Sequence, residues 1–213
     1  MTRVVTVSAT YGAGGSVVAP KLAERLGVPF YDRLTHGPET RAPERIEERL
    51  TEEERIQSPP GRLVASLSHL SGALGIPVPS AGDLDPNAEL RQKVAESVWR
   101  ATEAGGGVIL GRGAAAVLSV HPTSFHVRLD GPVERRIAQG MRVEGVSESV
   151  AREHQQDTDK AWSKFVQRLF DRDPSDPRLY HLIVDSTALP LPDVIEVIHA
   201  AASAFWERGL GCR

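Results

Sequence analysis

Val4-Val5-Thr6-Val7-Ser8-Ala9-Thr10-Tyr11-Gly12-Ala13-Gly14-Gly15-Ser16 is the stretch from which the rest of the chain can be placed. Val4, Val5 and Val7 form a β-branched run. Tyr11 to Ser16 is a loop of little side-chain bulk, and Val18, Leu22 and Leu26 recur at helical spacing until Gly27 ends the helix. Strand, glycine loop and helix in that order make a phosphate-binding layout. Backbone N–H groups without bulky neighbours, followed at once by the partial positive charge of a helix N-terminus, hold an anion with no special side chain. The same glycines also suit a turn that merely lets the chain pack closely.

The register can be set against G-x-x-x-x-G-K-[ST], because Ala9 to Ser16 has the required length. Gly14 and Ser16 fit, Ser16 as the magnesium ligand. Ala9 replaces the first glycine, and Gly15 replaces the lysine that reaches the β- and γ-phosphates. Lys21 is no substitute: it lies about 9 Å up the helix and about 240° round it from Gly15.

The 213 residues, 40% hydrophobic and 25% charged, suit one α/β domain over 1–213 with a small inserted lobe. A formal net charge of −3 gives no overall basic field, which argues against nucleic acid or an anionic membrane as partner. Cys212 is the single cysteine, so an internal disulfide and a cysteine zinc site are both excluded. With no signal-like apolar segment at the start and no apolar run approaching ~18 residues, the expected location is the cytoplasm.

Farther along, Val28 to Tyr31 reads as a second strand, with Asp32-Arg33 at the sheet's carboxyl edge, where open α/β folds take ligands. Residues about 36–86, rich in proline and charge, read as an inserted helical lobe. Asn87 caps a helix that Gly105-Gly106-Gly107 stops. Val108-Ile109-Leu110 is a buried strand leading to Gly111-Arg112-Gly113. An arginine held between two glycines at that edge is placed to fork onto a phosphate, although a structural ion pair would also explain it. Phe125 to Leu129 is a fourth strand, after which Asp130 and Pro132 read as an N-cap and a first-turn proline.

From Ser147 a helix carries Lys160, Lys164, Arg168 and Arg172 every four residues, a drift of only ~40° per step. On spacing alone that stripe is a solvated helix side. Tyr180 to Asp185 is the fifth strand, where Asp185 either serves the site or caps the next turn. The final helix runs from about Pro192 to Glu207. Five strands separated by helices predict a parallel sheet covered on both faces.

The ordered set of these segments resembles the cytidylate kinase-like proteins, relatives of the P-loop nucleoside monophosphate kinases. The resemblance is carried by Val5 to Gly15, Leu22 to Arg33, Val108 to Gly113, Asp159-Lys160, and Asp176 to Leu182 with Asp185. It implies a three-layer α/β/α fold with a five-stranded parallel sheet, a helical monophosphate lobe and a helical lid at about 147–178. The implied reaction moves a phosphoryl group from ATP, with Mg2+, to a nucleoside monophosphate such as CMP; the oligomeric state stays open.

By that resemblance Gly12, Ala13, Gly14, Gly15 and Ser16 hold the ATP phosphates, with Ser16 on the metal. Asp32, Arg112, Lys164 and Asp185 bind the acceptor. Lys160, Arg168 and Arg172 act catalytically from the lid, which turns the stripe into a phosphate clamp, since such a reaction runs on positioning and charge neutralisation. The chain also departs from the family pattern. Ala9 and Ser16 stand where basic residues are common, Gly113 where the Asp of Gly-Arg-Asp stands, and Trp162 where an Arg often follows the Asp-Lys pair. The donor site is thereby short of positive charge, and the alternative reading is a catalytically weak or inactive relative that keeps the nucleotide pocket as a binding or regulatory module.

Overall fold

The computed structural model describes residues 2–32, 87–111 and 113–208. The expected lobe at 36–86, together with Arg33, Arg112 and Cys212, lies outside the described residues. In chain order the elements are β1 (Arg3–Ala9), α1 (Gly15–Leu26), β2 (Phe30–Tyr31), α2 (Ala88–Glu103), β3 (Gly106–Leu110), α3 (Ala114–Val117) and β4 (Ser124–Asp130). They continue with α4 (Val133–Glu144), α5 (Glu148–Phe170), a 3-10 turn (Pro177–Leu179), β5 (Leu182–Asp185) and α6 (Leu191–Glu207).

All strands pair in parallel, in the order β2-β3-β1-β4-β5. β1 is central and covered on both sides, which is why it reads as a nearly continuous apolar run rather than an alternating one. On one face Val5, Val7, Val108, Leu110, Val127 and Leu129 meet Val18 and Leu22 of α1 and Val194 and Ile198 of α6. On the other face Val4 and Ile109 pack under Val98 and Ala101 of α2 and Ala114 of α3. The three-layer α/β/α architecture with a five-stranded parallel sheet is therefore present.

Beneath that second face lies a short polar chain. Thr6 Oγ1 donates to His126 Nδ1 at 2.8 Å, and His126 Nε2 donates to the Leu118 carbonyl at 3.2 Å. With Nδ1 accepting, the imidazole is neutral; burial, and then the neighbouring His181, bring its pKa down to about 4.

Several boundaries move relative to the sequence reading. Gly106 and Gly107 do not stop α2; they open β3, with Gly106 at φ 91 so close to the Arg3 carbonyl that no Cβ would fit. Asp130 is not an N-cap: it ends β4, and Pro132 takes the capping position of α4. The helix bearing the basic stripe ends at Phe170, because Asp171 turns left-handed at φ 50. Arg172 consequently falls beyond the helix, and only Lys160, Lys164 and Arg168 share it.

Candidate functional site

β1 delivers the glycine loop to the carboxyl edge of the sheet, and its two halves are treated differently. In the first half Ala13 N–H closes a turn on Thr10 O at 3.1 Å, with Gly12 left-handed at φ 73 in the third place, a position that favours glycine. The peptide units around Tyr11 are gripped from both sides. Tyr11 N–H donates to Asp159 Oδ1 of α5 at 2.8 Å, and Arg136 Nη1 of α4 donates to Tyr11 O at 2.7 Å. Arg136 and Asp159 also pair directly at 2.9 Å.

The rest of this frame is equally polar. Arg136 Nε donates to Gly131 O at 2.9 Å, and Gln155 Nε2 donates to Asp159 Oδ2 at 2.9 Å. Gln139 Nε2 donates to Gly12 O at 3.0 Å, and Ser186 Oγ donates to Ala13 O at 2.7 Å. The Tyr11 ring lies against Gly140 and edge-on to His154, while its hydroxyl donates to Glu144 at 2.8 Å. Burial and that carboxylate push its pKa up to about 12.

Asp130 Oδ1 accepts from Thr10 Oγ1 at 3.0 Å and from Gly131 N–H at 2.9 Å, and its Oδ2 accepts from Arg128 Nη2 at 2.7 Å. Burial pushes the Asp130 carboxyl up, but Arg128, the Gly131 amide and Thr10 together hold it below the usual carboxylate range.

The second half is left open. Among the described residues the N–H groups of Gly14, Gly15 and Ser16 meet no acceptor, and the exposed Ser16 hydroxyl makes no hydrogen bond. These are the orphan donors expected at a helix start, here gathered on a loop at a sheet edge. Pro20 lies one turn into α1 and brings no N–H to the Ser16 carbonyl, so that oxygen too lacks its usual helical donor. The open N–H groups are of the kind that suits an anion, and the exposed Ser16 hydroxyl is a hard oxygen of the kind that suits magnesium.

The glycines have packing reasons as well. A Cβ on Gly12 would run into the Arg136 carbonyl, and one on Gly14 would come within 2.8 Å of Leu191. A Cβ on Gly15 would meet the Ala9 methyl at 2.6 Å and Leu110 Cδ1 at 3.3 Å. The two departures from the lysine-bearing loop are therefore coupled: with Ala9 in place, a side chain at 15 would have to displace the Ala9 methyl.

The remaining expected site residues are spread along the edge. Asp32 follows β2, half-buried. Gly111 and Gly113, which flank Arg112, are both left-handed, and a Cβ on Gly113 would strike the Phe170 ring at the end of α5. Asp185 accepts from Thr187 Oγ1 at 2.6 Å, Thr187 N–H at 3.1 Å and Arg135 at 2.7 Å, and Thr187 above all keeps its carboxyl low. It thus caps the turn after β5.

Lys160, Lys164 and Arg168 are exposed. They lie about 100°, 140° and 180° round α5 from Asp159, on the side away from Phe165, Val166 and Leu169. The structure does not turn them toward the loop. What it does bring to the loop is Asp159, Arg136, Gln139 and Asp130, none of them expected as a site residue from sequence. Among the described residues no cluster of three or more His, Cys, Asp or Glu side chains forms a metal site. Nor, among the described residues, is any helix long and apolar enough to cross a membrane.

Residues 4–188 match the cytidylate kinase-like family. The chain belongs to that family. As a cytidylate kinase-like protein it shares its fold with P-loop kinases. A gluconokinase from Sinorhizobium meliloti 1021 superposes with a TM-score of 0.53 at 18% identity, over 97% of this chain and 95% of that one. A protein from Eubacterium ventriosum ATCC 27560 superposes with a TM-score of 0.63, also at 18% identity, over 94% and 98%. Identities this low speak for fold alone. A 119-residue stretch, 56% of this chain, is 23% identical to the uronate isomerase of Corynebacterium glutamicum but spans only 23% of that enzyme. That match carries no activity across to this cytidylate kinase-like chain.

Proposed function

We propose that this protein is a phosphotransferase that moves the γ-phosphate of Mg-ATP to a nucleoside monophosphate such as CMP, in the cytoplasm. The observation that carries the reading is the row of unpartnered N–H groups at Gly14, Gly15 and Ser16, at the head of α1, in a member of the cytidylate kinase-like family. Gly12 to Ser16 would cradle the donor phosphates, with Ser16 offering its oxygen to Mg2+. The metal supplies charge neutralisation between phosphates, while the loop amides hold the donor still.

The acceptor would sit farther along the carboxyl edge, between Asp32, Arg112, Lys164 and Asp185. A lobe at about 36–86 would cover it, and a lid at about 147–178 would bring Lys160, Arg168 and Arg172 to the phosphates. Because the three helix-borne cations face away from the loop, this part of the reading requires α5 to rotate or the acceptor phosphate to lie outside the loop's mouth.

One observation favours a second reading, a nucleotide-binding relative that transfers nothing. The lysine position is filled by the Ala9 methyl, and the buried cation nearest the loop, Arg136, already donates to Gly131 O, Tyr11 O and Asp159. The two readings separate in one experiment: transfer from labelled Mg-ATP across CMP, dCMP, UMP and, as the sugar-acid arm, gluconate, beside equilibrium ATP binding. Transfer to a monophosphate supports the kinase. ATP binding with no transfer supports the second reading, and absence of ATP binding overturns both.

A further inference from the structure

We infer that Arg136 and Asp159 are positioning residues for the phosphate loop: an ion pair, contributed by two helices, that sets the orientation of the Tyr11 peptide units and through them the mouth formed by Gly14 to Ser16. This deepens the reading of the loop as a nucleotide site and rests on it. The pair is built, not incidental. The Arg136 side chain is 5% exposed and that of Asp159 21%, and they meet at 2.9 Å. Between them they take both backbone polar groups of Tyr11: its N–H goes to Asp159 Oδ1 and its carbonyl receives Arg136 Nη1.

Tyr11 lies 148 residues from Asp159, so local chain propensity cannot account for the contact. Gln155 holds the second Asp159 oxygen, and the Gly131 carbonyl holds Arg136 Nε. The pair is therefore aimed from both sides.

The surrounding contacts explain why a loop of this composition needs an outside brace. Gly12 and Gly14 both occupy left-handed backbone, and glycines lose the most conformational freedom on ordering. The loop also lacks a lysine that a bound phosphate could recruit to order it. α5 is anchored on both halves, by Ala151 in a cluster with Tyr11 and Ile137, and by Phe165, Val166 and Leu169 against Leu90 and Val94 of α2. Asp159 is thus carried on a braced helix and fixes Tyr11 relative to the body of the protein. The three donors at Gly14, Gly15 and Ser16 can then face one way before any ligand arrives, which lowers the ordering cost of binding. Asp159 precedes Lys160 directly, so any rotation of α5 that brings the basic side chains inward releases Tyr11.

The test uses the full chain and three variants: Asp159→Asn, Arg136→Met, and the double Arg136→Met/Asp159→Leu. Each is measured for thermal midpoint, Mg-ATP affinity and amide hydrogen exchange in the loop relative to β4. The expected result for each single variant is faster exchange at the loop and a Kd for Mg-ATP raised about tenfold, the lower end for a hydrogen bond to a charged group.

The double variant removes both charges together, so it should recover much of the thermal midpoint lost by Arg136→Met while its loop exchange stays fast and its ATP affinity stays low. Recovery of affinity together with stability would overturn the inference, as would single variants whose loop exchange matches the parent. Should the parent bind no ATP, the nucleotide reading fails by itself, and loop exchange without ligand still decides whether the pair holds Tyr11.

Discussion

Thr10 to Ala13 and Gly14 to Ser16 belong to one loop and have opposite fates. In the first half Asp130, Asp159, Arg136, Gln139 and Ser186 all hold backbone or side-chain groups of the loop. In the second half three N–H groups and a hydroxyl meet nothing among the described residues. Unpaired N–H groups are ordinary at the start of a helix; here they share one loop with backbone groups that side chains from α4, α5 and the turn after β5 hold. The contrast therefore divides seven residues into a half that the protein fastens and a half whose amides it leaves open.

Breaking the fastened half should have the largest effect. Gly12→Ala adds a Cβ to left-handed backbone and drives it into the Arg136 carbonyl, so the stability lost should be about 4 kcal/mol, strain plus overpacking, read from urea unfolding. Nucleotide affinity should fall with it.

A perturbation away from the loop sharpens the comparison. The His126 pKa lies below its unfolded value of about 6.5, so above that pH both states are neutral and its contribution to stability is complete. As pH falls toward 4 the unfolded chain takes up a proton that the folded chain refuses, and about 3 kcal/mol is lost at about 1.36 kcal/mol per unit. Urea unfolding at several pH values between 7 and 4 should show this slope, and His126→Gln should flatten it. Nucleotide affinity per folded molecule should not change on replacing His126.

Smaller effects are expected where the loop is open. Gly15→Lys alone should cost roughly 1–3 kcal/mol through contact with Ala9 and Leu110, whereas Ala9→Gly/Gly15→Lys should regain part of that loss and raise Mg-ATP affinity. Titration calorimetry and unfolding on the two variants decide this, and equal stability in both would show that the methyl is not the obstacle. Ser16→Ala should leave stability within about 0.5 kcal/mol while weakening the magnesium dependence of ATP binding.

The architecture was legible because it is written locally. The β-branched run of β1, the apolar run within β3 and the spacing of α6 each announce an element, and strands alternating with helices announce a parallel sheet, though not its order. The fastening of the loop was not legible, because it exists only between elements distant in sequence. Asp159 stands beside Lys160 in a helix whose regular basic spacing attracts the eye, and nothing local says that the carboxylate faces the loop while the cations face outward. Arg136 sits in an arginine pair of which the exposed member goes to Asp185 and the buried one to Tyr11. Asp130 before a proline resembles a cap, and only the register of β4 against β1 brings it to Thr10. Arg172 left the stripe through one left-handed residue, Asp171, which spacing does not reveal.

The 2.6 Å approach of Ala9 to the place of a Cβ on Gly15 has a consequence in evolutionary time. A descendant of this chain that first acquires a lysine at 15 suffers the collision before it gains any charge, while one that first acquires glycine at 9 passes through a looser strand end with nothing yet to show for it. A lysine at 15 is thus easier to accommodate after glycine at 9 than before it.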